Sequence, residues 1–166
     1  MGATQIKPNA SVLDPEQAVY NKVYSGGGFS NVFAVPSYQV EAAKAYLENN
    51  PPPFGTDRYN TSISRGFPDI SANGIWTLVY VSSASAPVVG SILTLVNAAR
   101  MNIGKSAIGF INPVLYKYPN MLNDMVVGNN PGCGTDGFAA AEAWDPVTGL
   151  GTPNFPKVLA TWLTLP

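Results

Sequence analysis

Histidine is absent from the 166 residues. That excludes a Ser-His-Asp or Cys-His hydrolase and any histidine-ligated zinc or iron site within this chain, and leaves acid-base work to carboxylates, tyrosines or lysines. Cysteine is almost absent too. The single Cys133 rules out an intrachain disulfide and a Cys-rich zinc cluster. Charge is scarce: Asp, Glu, Lys and Arg together make up 11% of the chain, nine basic against ten acidic, for a net charge of -1. Such a balance offers no electrostatic attraction to nucleic acid or to an anionic membrane, so neither is expected as a partner. No apolar run approaches the roughly 18 to 20 residues of a membrane span, and the N-terminus lacks a charged-then-apolar leader pattern. Asn9 and Asn60 open glycosylation triplets, which matter only for a secreted chain.

What is present is apolar surface and punctuation. Hydrophobic residues make up 46% of the chain, enough to bury a core, and the length suits one domain, 1–166. Sixteen glycines and fifteen prolines sit in clusters, which reads as short elements joined by structured loops. From Pro36, residues Tyr38, Ala42, Ala43, Tyr46 and Leu47 fall at helical spacing, and Asn49, Asn50 and Pro51 end the helix. Residues 51 to 68 read as loop. Trp76 to Val81 is a β-prone run suited to a buried strand, and it leads into Ser82 and Ser83. From Ala84 to about Arg100, apolar residues cover most of a helical circumference, predicting a helix buried on nearly all sides, with Pro87 tolerated in its first turn. Short helices are expected around Asn112 to Tyr118 and from Pro156 to Leu163. Strands alternating with helices indicate an α/β class with parallel strands.

Strand, Ser82-Ser83, then helix is the arrangement with most chemical content. A serine at a helix N-terminus meets free N–H groups and the positive end of the dipole, which suits a nucleophile whose intermediate carries an oxyanion. Serine is also among the best N-caps, and locally that structural role is the commoner one. The SGGGFS stretch, with Ser25, Gly26, Gly27 and Gly28, permits close backbone approach to a ligand or simply makes a turn. Asp69 in GFPDIS reads as a buried structural carboxylate. Asp124 and Asp145, joined by a Gly- and Asn-rich loop, are either solvated loop residues or part of the hard-oxygen set that calcium prefers.

The stretch VSSASAPVVGSILTLVNAARMNIGKSAIGFINPVLY resembles the nucleophile segment of the sedolisin family of serine-carboxyl peptidases, where Gly-Thr-Ser-Ala-Ser-Ala-Pro carries the catalytic serine. Ser83 falls on that serine. The resemblance extends to residues 25 to 39, 65 to 74 and 130 to 166, with fungal tripeptidyl-peptidase-like members most similar. It implies the C-terminal half of a subtilisin-like fold. It also implies a substrate cleft beside Ser25, Gly26, Gly27 and Gly28. A calcium site is implied with side chains from Asp124 and Asp145 and carbonyls from Met125, Ala141 and Ala143. The last two are commonly glycine in the family, and alanine there is expected to restrict the loop.

Departures from the family pattern shape the expected function. The glutamate base, its orienting aspartate and the oxyanion aspartate have no match here, so this half alone is expected to lack peptidase activity. Val81-Ser82 replaces Gly-Thr, and the chain is shorter between Asn73 and Thr77. A halved sheet exposes an edge and apolar faces, so a homodimer or a complementary N-terminal half is expected as partner. Rival readings are a repurposed enzyme acting on a small molecule or peptide near Ser83, Trp76 and Tyr80, a non-catalytic interaction module, and one half of a two-chain peptidase. Family members are typically secreted or lysosomal.

Overall fold

The computed structural model describes residues 1–20, 23–54, 63–74 and 84–166. The strand expected at 76 to 81 and Ser83 itself lie outside the described residues.

The centre is a three-stranded sheet in the order β2, β1, β5: β1 is Gly2–Gln5, β2 Gln17–Ala18 and β5 Ser71–Asn73. β1 and β5 run parallel, with Gly2 opposite Ser71 and Thr4 opposite Asn73, whereas β2 returns antiparallel. A second, antiparallel pair joins β3 (Gly28–Ala34) to β4 (Ser64–Phe67). β4 falls inside the stretch 51 to 68 expected to be loop, and β3 begins inside the glycine run expected to be loop. Neither segment has the alternating apolar pattern of an isolated strand. Their pairing depends on each other and on Trp144, whose ring fills the space where a Cβ on Gly66 would stand.

The helices follow the expected order. α1 (Val40–Asn49) buries Ala43 and Tyr46, three residues apart and therefore on one face. It stops where Asn50 N–H returns to the Tyr46 carbonyl at 2.8 Å. α2 (Ser85–Asn102) carries Pro87 in its first turn and ends before Gly104, whose φ of 77° suits glycine. α3 (Asn112–Lys117) leads through a 3-10 turn into β6 (Leu122–Asn123), which pairs antiparallel with β7 (Thr152–Pro153). α4 (Phe155–Thr164) starts at Asn154, whose side chain accepts from Lys157 N–H.

One expectation about α2 is corrected. It is buried along a single stripe of Ser85, Val89, Val96 and Arg100, while Leu95 and Met101 are 57% and 59% exposed. β1, β5 and α4 pack against α2. Arg100 is buried there because its guanidinium donates to carbonyls at the end of α4, Trp162 and Leu165 among them. These bonds satisfy a charge that would otherwise be costly to bury.

The main core joins Phe29, Tyr46, Ile70, Met121, Trp144, Val147, Val158 and Trp162. Phe29 and Tyr46 meet Trp144 edge to face, at centroid separations of 6.0 and 5.9 Å. The indole N–H of Trp144 donates to the Pro68 carbonyl, so this large side chain is buried without an orphaned donor.

Candidate functional site

The N-terminus of α2 is where the serine segment reaches the sheet. Its N-cap residue is Ala84, which has no side-chain acceptor to offer. Ser85, the next residue, is buried and donates to the Ala72 carbonyl on β5 at 2.8 Å. Gly74 makes that approach possible, because a Cβ there would lie 2.9 Å from Ser85 Oγ and 3.0 Å from Ala3 Cβ. The small residues of SANG, together with Ser85, therefore serve one purpose: they bring the start of an 18-residue helix hard against the parallel pair.

Asp69 is a structural carboxylate. It pairs with Arg65 and accepts from Asn112 Nδ2 at 3.0 Å and Tyr116 Oη at 2.9 Å. Burial, followed by the negative charge of Asp69, drives the Tyr116 phenol far above its ordinary range. Gln39, fully buried, links the same network to β4 through Gly66 N–H and C=O.

The glycine loop divides by residue. Ser25 is buried, donating to the Val147 carbonyl at 2.5 Å and accepting from Ala3 N–H at 2.9 Å. A Cβ on Gly27 would lie 1.9 Å from the Pro146 carbonyl oxygen, and Gly28 takes φ 145° as it enters β3. Only Gly26 has open space around its Cα. This loop is therefore a packed junction with one accessible residue.

The five residues expected at the calcium site share a neighbourhood. Ala143 N–H donates to Asp124 Oδ2 at 2.7 Å and Ala141 N–H to Asp145 Oδ2 at 3.1 Å. Thr148 Oγ1 lies 3.1 Å from Asp145 Oδ2 and 3.4 Å from the Met125 carbonyl. The contacts from positions 141 and 143 to the carboxylates are made by amides. Asp145 has no exposed surface, and among the described residues neither it nor Asp124 has a Lys or Arg within ion-pair distance. Burial pushes the Asp145 carboxyl up to about 7 against the opposing hydrogen bonds from Thr148, Ala141 and Val147. Asp124 is an exposed residue, and its carboxyl is raised as well, first by partial burial, with the negative charge of Glu142 adding to it.

A buried carboxylate with no Lys or Arg in ion-pair range, linked through Thr148 to the Met125 carbonyl and lying two residues from Ala143, whose amide holds Asp124, is a donor set whose chemistry suits a hard, oxygen-binding cation. No group of three or more His, Cys, Asp or Glu side chains gathers among the described residues, so such an ion would depend on backbone oxygens too. Ala143 adopts φ 67°, the left-handed conformation that favours glycine. Sequence reading alone missed Thr148, whose hydroxyl and amide both face Asp145; the D-x-x-T spacing of a capped turn was the available signal.

No protein-family model matches the chain. Aorsin from Aspergillus oryzae is 45% identical over 191 aligned positions, covering 100% of this chain and 29% of that protein. Tripeptidyl-peptidase sed1 from Aspergillus fumigatus is 41% identical, again over 100% of this chain and 29% of its own length. The chain belongs to the sedolisin family. Human tripeptidyl-peptidase 1 is 42% identical over 84% of this chain and 27% of its own length. Among solved structures, Pseudomonas sedolisin, a serine-carboxyl proteinase complexed with pseudo-iodotyrostatin, superposes with a TM-score of 0.71 at 21% identity, over 96% of this chain and 44% of that one. That likeness establishes a sedolisin fold, and with it the α/β class. The chain spans under a third of the length of the curated relatives named here. The alignment with Aorsin is longer than the chain itself, so Aorsin carries residues that this sedolisin homologue lacks.

Proposed function

We propose that these residues are the nucleophile-bearing part of a serine-carboxyl peptidase, with Ser83 at the nucleophile position and a peptide as ligand. The observation that carries this reading is 45% identity to Aorsin across the whole of this chain. The 166 residues offer Ser83 no histidine, and the glutamate and aspartates that serve the family as base, orienting group and oxyanion partner have no match among them. A serine hydroxyl without a base is a very weak nucleophile. On its own, this stretch therefore does not hydrolyse peptides.

Calcium would be held by the Asp124 and Asp145 side chains, with carbonyls from Met125, Ala141 and Ala143, and would supply the missing positive charge beside buried Asp145. At the glycine loop, ligand contact falls to Gly26, since Ser25, Gly27 and Gly28 are engaged in packing. The exposed apolar face of α2 favours a partner, either a second copy in a two-fold homodimer or a complementary N-terminal half that brings the carboxylates.

The test is release of tripeptides from an unblocked peptide by the 166-residue chain, assayed from about pH 3 to 7. No turnover is expected. Turnover that disappears in Ser83→Ala would overturn the reading and require a carboxylate within these residues to act as base.

A further inference from the structure

We propose that Ser25 is a positioning residue through which a divalent cation at Asp145 tightens the glycine loop. The proposal rests on the cation-site reading of Asp124 and Asp145 given above, and the geometry lies in two consecutive peptide units. In the first, Val147 N–H donates to Asp145 Oδ1 at 2.8 Å, and its other end, the Pro146 carbonyl, is the atom that a Cβ on Gly27 would strike. In the second, Thr148 N–H donates to the same Oδ1 at 2.7 Å, and its other end, the Val147 carbonyl, accepts from Ser25 Oγ. Each peptide thus has its amide on the carboxylate and its carbonyl on the glycine loop.

A peptide unit is planar and stiff, so fixing its N–H also fixes its C=O. A cation that immobilises the Asp145 carboxylate therefore immobilises the two carbonyls that Ser25 and Gly27 rest on. Asn130 Nδ2 also donates to the Pro146 carbonyl, at 3.1 Å, and holds the first unit from the side. Ser25 carries the link further, because its oxygen accepts from Ala3 N–H on β1. One hydroxyl thereby joins the cation-bearing turn, the glycine loop and the parallel sheet against which α2 packs. Gly26, with open space around it, sits next to this joint and takes its position from it.

The experiment is hydrogen exchange on the full 166-residue chain, followed at the Gly26, Gly27 and Gly28 amides with calcium and with chelator, alongside calorimetric titration with calcium. Calcium is expected to slow these amides about five- to tenfold more than it slows those of α1, the change that one added hydrogen bond's worth of local stability produces. Ser25→Ala should still bind calcium and lose the extra slowing, and Ser25→Thr, which keeps the hydroxyl, should regain it. Calcium binding with no selective slowing in the unmodified chain, or slowing retained in Ser25→Ala, overturns the coupling and leaves the cation site standing. Absence of calcium binding in the unmodified chain overturns both. If Ser25→Ala fails to fold, the comparison within the unmodified chain decides alone.

Discussion

Asp145 should make the cation-free fold lose stability as pH rises. Its carboxyl has no exposed surface and is pushed up to about 7 from an ordinary 3.8 by burial. Below pH 4 the group is protonated in both folded and unfolded chains and contributes no pH dependence. Between about pH 4 and 7 the unfolded chain releases a proton that the folded chain retains, so unfolding becomes progressively easier. Above about 7 both forms are ionised and the loss is complete, at roughly 4 kcal/mol for a difference of this size. The assay is urea unfolding in chelator at pH 4, 5.5 and 7.5, comparing the unmodified chain with Asp145→Asn, which removes the titration while other carboxylates cancel in the difference. The unmodified chain should lose ground to the variant by about that amount between pH 4 and 7.5. Calcium at pH 7.5 should restore the unmodified chain and leave Asp145→Asn unchanged. A difference between the two proteins that stays constant with pH would refute the reasoning, because Asp145 would then ionise as easily folded as unfolded.

Three further outcomes follow from packing. Within the glycine run, Gly26→Ala should change unfolding free energy by no more than about 0.5 kcal/mol, since nothing lies within 4 Å of the added methyl. Gly27→Ala should cost more than about 3 kcal/mol or abolish folding, because the methyl would meet backbone at 1.9 Å; equal effects in chemical denaturation would show that the loop is not clamped. Ala143→Gly should stabilise by roughly 0.5 to 1 kcal/mol, the relief of a left-handed alanine less the entropy of glycine, read as a melting temperature raised by a few degrees. An unchanged or lowered value would mean that position 143 is not strained. Light scattering at micromolar concentration should report a dimer, and a stable monomer would exclude self-association as the cover for α2.

The order of the helices was legible in the sequence, and the weakest strands were not. Helices were found where periodicity and Pro, Asn or Gly stops coincided, as at α1, where Asn50 and Pro51 follow the last turn. β1, reading GATQ, has no apolar run at all. It is a strand because Gly2, Ala3 and Thr4 are small enough to lie against Ser71, Ala72 and Asn73, and that complementarity becomes visible only when two segments far apart in sequence are brought together. The same holds for β3 and β4. Motif resemblance located the five residues around Asp145 but could not tell that the amides of Ala141 and Ala143 face the carboxylates, because a loop's peptide orientations depend on φ values that composition does not encode.

α2 shows how a correct element can carry a wrong inference about burial. Its apolar residues surround the axis, and an all-round apolar helix ordinarily lies in the middle of a core. Here β1, β5 and α4 pack against α2, and Leu95 and Met101 remain more than half exposed. The apolar composition of the second face has no reason within the described residues. In relatives more than three times as long as the stretch they share with this chain, additional chain is available to cover such a face. The mismatch between what α2 is composed to bury and what it does bury is the observation behind the partner proposed above. The exposed face lies on the same helix whose first turn follows Ser83. A partner that covered that face would account for the composition of α2, and the light-scattering result above decides whether that partner is a second copy.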